Sequence, residues 1–269
     1  MAVMKIDSFS AAMGRNISFL AAGPLESLKA GQKMRALYLL HGVTGAASNW
    51  FSLTAASRKA IEANSHRAAG KDPVCLISLS GGNGFYHPVP DKRDGAWRPG
   101  ADHKHDYQAF IGQEIVSLTR KMLPISDKRE DTGILGLSMG GYGALRTGLL
   151  YRQTFGFAAG LSCALLTRIP TEDEGAFWLR PDFEKVIFGP DGPSLEDDVE
   201  DLAISLAKEG QTLPRLMVAC GTEDSLLAYN RQLDQDWKKA GIEHDYLEHP
   251  GAHEWAFWEW GLEKALERF

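Results

Sequence analysis

The stretch that most restricts what this chain can fold into is Gly133-Ile134-Leu135-Gly136-Leu137-Ser138-Met139-Gly140-Gly141-Tyr142-Gly143-Ala144. A short apolar run of strand type ends at a serine set between glycines, and Met139 to Leu150 continues as a helix. Gly136, Ser138 and Gly140 satisfy Gly-x-Ser-x-Gly, which puts Ser138 on a sharp strand-to-helix turn. A nucleophile held in strained backbone needs neighbours without Cβ, because strand and helix approach closely there. The helix N-terminus behind it would face any negative charge that develops at the serine. The competing reading is a glycine-rich turn with an incidental serine, so the remaining chain decides.

Along the chain, Met4 to Ser10 and Asn16 to Ala22 alternate as an antiparallel hairpin would. Arg35 to Leu40 is apolar enough for a central strand buried on both faces, and it runs into the glycine-punctuated loop His41-Gly42-Val43-Thr44-Gly45. Such a loop can aim an unpaired N–H into a crevice, which is half of an oxyanion hole. Trp50, Leu53, Ala56 and Ile61 fit a helix, with Ser48 placed to cap it. Val74 to Leu79 is the next core strand, followed by Gly81-Gly82-Asn83-Gly84 and an irregular segment to about Asp106. A loop that long shapes a site or a subunit contact more often than not. His103 and His105 on it lack the partners a metal site needs, and no metal is expected. The spacing Tyr107, Ile111, Ile115, Leu118, Met122 predicts one face of a helix ending before Pro124.

Phe155 to Ala164 reads as a further strand. Residues 165–213 are repeatedly interrupted, at Pro170, Pro181, Gly189-Pro190 and Gly192-Pro193, with short helical patches at most around Leu202, Ile204 and Leu206. That segment is either a small lid over the catalytic edge or surface packing. Arg215 to Cys220 forms a strand ending at Gly221-Thr222-Glu223-Asp224, and the next helix buries Leu226, Leu233 and Trp237. Asp245-Tyr246-Leu247 is a last edge strand before His249-Pro250-Gly251-Ala252-His253, then an aromatic helix with Trp255, Trp258, Leu262, Leu266 and Phe269 on one face. Strands alternating with helices predict an α/β fold with a mostly parallel sheet, and the whole of residues 1–269 reads as one domain.

Ser138, Asp224 and His253 each follow a strand, at the carboxyl edge where open α/β sheets build sites. A serine hydroxyl needs a base to take its proton; imidazole does so near neutral pH, and a carboxylate fixes the tautomer. The order serine, acid, histidine is that of α/β-hydrolases. Glu223 competes with Asp224 and His249 with His253; Asp224 is favoured as the shorter acid, and His253 as the base on a flexible loop tip before a helix. His41 reads as a brace for the loop rather than a proton carrier.

Composition narrows the class. A net charge of −6 without a Lys/Arg block argues against nucleic-acid or membrane-surface partners. No apolar run reaches membrane-span length, and the N-terminus has no export-signal pattern. Cys75, Cys163 and Cys220 sit far apart in apolar runs, as free buried thiols do, and a cytoplasmic location is expected.

The blocks Leu39-Leu40-His41-Gly42-Val43-Thr44-Gly45, Asn83-Gly84-Phe85-Tyr86, Gly136 to Ala144, Cys220 to Asp224 and Gly251 to Trp258 resemble the putative-esterase family of α/β-hydrolases. That family holds tributyrin esterases, S-formylglutathione hydrolases of the esterase D type and feruloyl or acetyl-xylan esterase relatives. The tributyrin-esterase branch is the most similar, through the acidic Leu195 to Ala203, Leu213-Pro214 and the His-Glu-Trp ending. The resemblance implies Ser138 as nucleophile, Asp224 as acid, His253 as base, and the N–H groups of Val43 and Met139 as oxyanion hole. It implies a cofactor-independent carboxylesterase for small-molecule, short-chain acyl esters, with no cofactor. His41, Gly42, Tyr86, His87, Trp97 and the neighbourhood of Phe177 are candidates for substrate contact. Two departures stand out: His87 to His105 matches none of the family's blocks, and the loop after His41-Gly42 lacks the cysteine of many S-formylglutathione hydrolases. S-formylglutathione or feruloyl ester hydrolysis, acyl transfer from the same acyl-enzyme, and a binding module on a hydrolase fold are the alternatives. A homo-oligomer is left open.

Overall fold

Six runs of five to seven residues become the parallel part of one eight-stranded sheet, ordered β1-β2-β4-β3-β7-β8-β9-β10. The computed structural model describes residues 2–65, 72–89, 105–168, 187–188 and 191–269. The strands are β1 (Ala2–Ser10), β2 (Arg15–Gly23), β3 (Arg35–Leu40), β4 (Val74–Leu79), β5 (Pro88–Val89), β6 (His105–Asp106), β7 (Thr132–Leu137), β8 (Phe157–Leu161), β9 (Arg215–Gly221) and β10 (His244–His249). The β1–β2 hairpin is antiparallel and joins the sheet antiparallel to β4; β5 and β6 make a separate two-stranded ribbon. All six residues of β3, β4 and β7 are buried, as strands covered on both faces must be.

Alternation along the strands divides the interior in two. Ala36, Tyr38 and Leu40 of β3 face one cluster, and Leu37 and Leu39 the other. The helices are α1 (Asn49–Ser52), α2 (Ala56–Ser65), α3 (Tyr107–Ala109), α4 (Ile115–Met122), α5 (Met139–Leu150), α6 (Val199–Lys208), α7 (Leu227–Lys239) and α8 (Trp255–Arg268). Helices α3 to α7 cover the first cluster, and α1, α2 and α8 the second, through Trp50, Ala56, Ala60, Leu262 and Leu266. This is the α/β layering, helices on both faces of a mostly parallel sheet, expected from the alternation of strand and helix.

Several local expectations are corrected. Ser48 makes no side-chain cap; Asn49 instead accepts the Ala46 N–H at 2.5 Å. Between α3 and α4 the helix widens into a π turn, Phe110–Glu114, which rotates the apolar stripe. Phe110, Ile111, Ile115, Val116 and Thr119 are therefore buried, while Leu118 is only half-buried and Met122 is exposed. The same turn points Glu114 at the hairpin tip, where it accepts from the Ser10 hydroxyl at 2.7 Å and from the Ala11 N–H at 2.8 Å. β8 is shorter than expected, because Ser162 turns the chain out of the sheet at φ 48°.

Of the segment expected as a lid, 169–186 and 189–190 lie outside the described residues. Residues 199–208, expected to hold only patches, form the full helix α6, capped by Asp198 accepting from the N–H groups of Glu200 and Asp201. Its Val199, Leu202, Ala203 and Leu206 are buried. No helix among the described residues is long and apolar enough to cross a membrane.

Candidate active site

The turn at Ser138 is built by glycines whose missing Cβ atoms make room. A Cβ on Gly136 would overlap the Gly140 carbonyl, and one on Gly140 would lie 2.5 Å from the Leu40 carbonyl oxygen. Strand β7, the start of α5 and the end of β3 can then converge, and Ser138 takes φ 55° and ψ −121°. That backbone is costly for a serine by roughly 1–3 kcal/mol and persists only if its surroundings fix it. Here the Ser138 N–H donates to Leu161 at 2.8 Å, and the Ser138 carbonyl accepts from Tyr142 at 3.1 Å and Ala164 at 3.2 Å.

The loops after β9 and β10 bring the other two groups to it. His253 Nε2 lies 3.0 Å from Ser138 Oγ, and His253 Nδ1 lies 2.9 Å from Asp224 Oδ2. A carboxylate accepts, so Nδ1 carries the proton and Nε2 is left to accept from the serine. Burial pushes the Asp224 carboxyl up, but hydrogen bonds and charge from His253, with further bonds from the Leu226 N–H and Ser162, outweigh it and leave the pKa below the ordinary value. The two sequence rivals turn elsewhere. Glu223 accepts from Thr222 at 2.7 Å and from the Gly251 N–H, pinning the histidine loop from outside. His249 is exposed, donates to the Pro250 carbonyl at 2.8 Å and stacks on Trp260 at 4.5 Å.

Beside Ser138 opens a cavity of about 380 Å³, lined by Gly42, Val43, Phe85, His253, Trp255 and Trp258 among others. The Val43 and Met139 N–H groups have no hydrogen-bond partner among the described residues, which leaves two donors flanking Ser138. Of the residues expected to meet substrate, only Gly42 lines the cavity; His41, Tyr86 and His87 lie buried behind it, and Trp97 and Phe177 fall outside the described residues. Their roles are supporting ones. His41 Nε2 accepts the Gly81 N–H at 2.9 Å, so its Nδ1–H donates to the Gly42 carbonyl at 2.7 Å, tying the loops after β3 and β4 together. Burial holds its pKa below the ordinary value against the Gly42 carbonyl, in keeping with this neutral tautomer. Tyr86 donates to the His41 carbonyl at 2.9 Å, and His87 Nε2 meets the Tyr142 hydroxyl at 2.8 Å. Phe85 and Tyr86 are both left-handed, at φ 52° and 61°, which throws the Phe85 ring into the cavity wall.

Sequence reasoning missed Ser162 and Asn230. The Ser162 hydroxyl accepts from Trp258 Nε1 at 3.1 Å and is among the groups that hold the Asp224 carboxyl below its ordinary range, and the Trp258 ring meets His253 edge-on at 5.0 Å. Asn230 clamps the same turn, accepting from the Cys163 N–H at 3.0 Å and donating to its carbonyl at 3.1 Å. Neither lies in a recurrent motif; a polar residue directly after an apolar strand run was the one available signal for Ser162. The three cysteines are buried and free, and burial raises their pKa values, that of Cys75 to about 12.

A family model described as putative esterase matches residues 10–269. The chain is 33% identical over 281 residues to an acetyl esterase of Caldicellulosiruptor saccharolyticus, covering 99% of this chain and 97% of that one. Among solved structures it resembles the Staphylococcus aureus fluorophosphonate-binding serine hydrolase FphF with TM-score 0.80, 22% identity, and 99% and 97% of the two chains covered. It also resembles the S-formylglutathione hydrolase FrmB of the same organism, with TM-score 0.76, 20% identity, and 99% and 98% covered.

Proposed function

We propose that this chain, which belongs to the putative-esterase family and is a hydrolase of carboxylic esters, cleaves short-chain acyl esters through an acyl-enzyme on Ser138. The observation that carries the reading is the unbroken hydrogen-bond path from Ser138 Oγ through the His253 ring to Asp224, at 3.0 and 2.9 Å. In this reading His253 Nε2 takes the serine proton as Oγ attacks the ester carbonyl. The Val43 and Met139 N–H groups receive the oxyanion, each donor of this kind contributing about 10²–10³ in rate. The imidazolium, stabilised by Asp224, returns its proton to the departing alkoxide and releases the alcohol. Water, deprotonated by His253, then attacks the acyl carbon; collapse of the second tetrahedral adduct frees the carboxylic acid and re-protonates Ser138.

Short acyl groups suit a cavity of about 380 Å³, near the lower end of the size range of ligand sites. The acetyl esterase relative supports the same preference. A feruloyl ester is the second reading, favoured by the Phe85, Trp255 and Trp258 rings on the cavity wall. The ratio of kcat/KM on p-nitrophenyl acetate and methyl ferulate separates the two. Ser138→Ala should lower turnover of p-nitrophenyl acetate by about 10³ or more while the unfolding temperature is maintained. A folded Ser138→Ala protein with wild-type turnover rules the assignment out.

A further inference from the structure

One edge of the sheet is β1, nine residues long and paired only with β2 among the described residues. Its register with β2 runs unbroken from Ala2↔Gly23 to Ser10↔Arg15, with no bulge, and its sequence holds no proline. Open edges of this length template pairing with another chain unless they are blunted. Two of the exposed large apolar side chains of the molecule, Val3 at 53% and Phe9 at 65%, stand on the solvent face of this strand with Lys5 and Asp7 between them. Met4, Ile6 and Ser8 take the other, half-buried face.

We propose that a second copy of this chain docks on this edge, β1 pairing antiparallel with β1 about a two-fold axis through Ile6 and joining two eight-stranded sheets. The order of side chains selects that register. A two-fold axis perpendicular to the sheet must pass through a residue and its own copy, so residue positions sum to an even number across the pair. Centred on Ile6, Val3 faces Phe9 of the second copy and Lys5 faces Asp7, each contact occurring twice, so every exposed position meets a complementary one. Centred on Lys5 or Asp7, like charges face each other on the axis and an apolar residue faces a charge. The intrachain contacts of Asp7, Lys5 Nζ at 3.7 Å and the Ser18 hydroxyl, are at exposed positions and hold the carboxylate weakly. The edge lies across the sheet from β7, β9 and β10, which carry Ser138 and its partners, so pairing there leaves the cavity open.

Light scattering and sedimentation velocity on the full chain, over a concentration series, test this. The wild type should run as a dimer. Asp7→Lys sets Lys5 against a lysine twice and should weaken the dimer by about tenfold or more. Lys5→Asp combined with Asp7→Lys restores opposite charges in the same register and should recover the dimer. Esterase turnover should be equal in all three proteins, which also shows that each is folded. A wild type that is monomeric throughout, an Asp7→Lys dimer of unchanged affinity, or a double variant no tighter than the single one overturns the proposal.

Discussion

Ser162 concentrates several demands on one small side chain. It holds φ 48°, donates its backbone N–H to Ala219 at 2.7 Å, accepts from the Trp258 indole, and carries a hydroxyl that helps to lower the Asp224 pKa. A hydroxyl near the carboxylate favours its charged form, and that charge keeps the His253 proton on Nδ1. Ser162→Ala and Ser162→Gly both delete the hydroxyl, but glycine relaxes the left-handed backbone. Both variants should lose about tenfold in kcat, with the acid limb of the kcat/KM profile altered, while the glycine variant is the more stable by about 1 kcal/mol. Equal kcat to wild type in both, measured beside their unfolding temperatures, would show that the hydroxyl serves packing alone.

Among the elements, the connections more than the strands and helices determine what the site can be. The loop after β4 reaches the cavity through Phe85 and is fastened behind it by His87, which meets Tyr142 of α5 and lies 3.5 Å from Asp197 of the turn before α6. Asp197 also accepts from Arg146 at 3.0 Å and from Ser194 at 2.8 Å. Burial, with the Arg146 charge added, holds the His87 pKa well below its ordinary 6.5, against the pull of Asp197. A depressed imidazole contributes stability that is complete above 6.5 and lost as pH falls towards the folded value. His87→Gln, which keeps a donor for Tyr142, should therefore flatten the decline of the unfolding midpoint between pH 6.5 and about 5, above most carboxylate titrations. Glu200, raised by burial to about 7, acts with the opposite sign and cancels between the two proteins. Parallel slopes for wild type and variant would exclude the effect. This fastening also explains what the sequence concealed. Ser138 and Asp224 were legible because each follows an apolar strand at a turn rich in glycine or polar residues, and His253 because it stands on a glycine-containing turn between the polar edge strand and an aromatic helix. His41 was legible as a brace for its loop, whereas Tyr86 and His87 looked like pocket walls because they are aromatic or polar and follow a core strand, and only tertiary packing turns them inward. The π turn at Phe110–Glu114 had no local signature, since a single added residue in a helical turn leaves composition unchanged.

On the scale of the whole molecule, the apolar strand runs announced the sheet well, and its layering follows from the alternation of two interior clusters on either side of it. What the sequence left out was how the hairpin attaches: strand β2 lies beside β4, not β3, because the parallel sheet grows outward from β3 in both directions. The sheet also carries Cys75 in β4 and Cys220 in β9, with Cys163 just beyond β8, and all three sulfhydryls are shut away from solvent. Burial disfavours the reactive thiolate in each, so an alkylating reagent meets no target until the surrounding strands part. Mass spectrometry of iodoacetamide-treated native protein should find three unmodified cysteines, and the slow appearance of adducts would then count openings of the β-sheet itself, a clock for global breathing supplied without any engineered label.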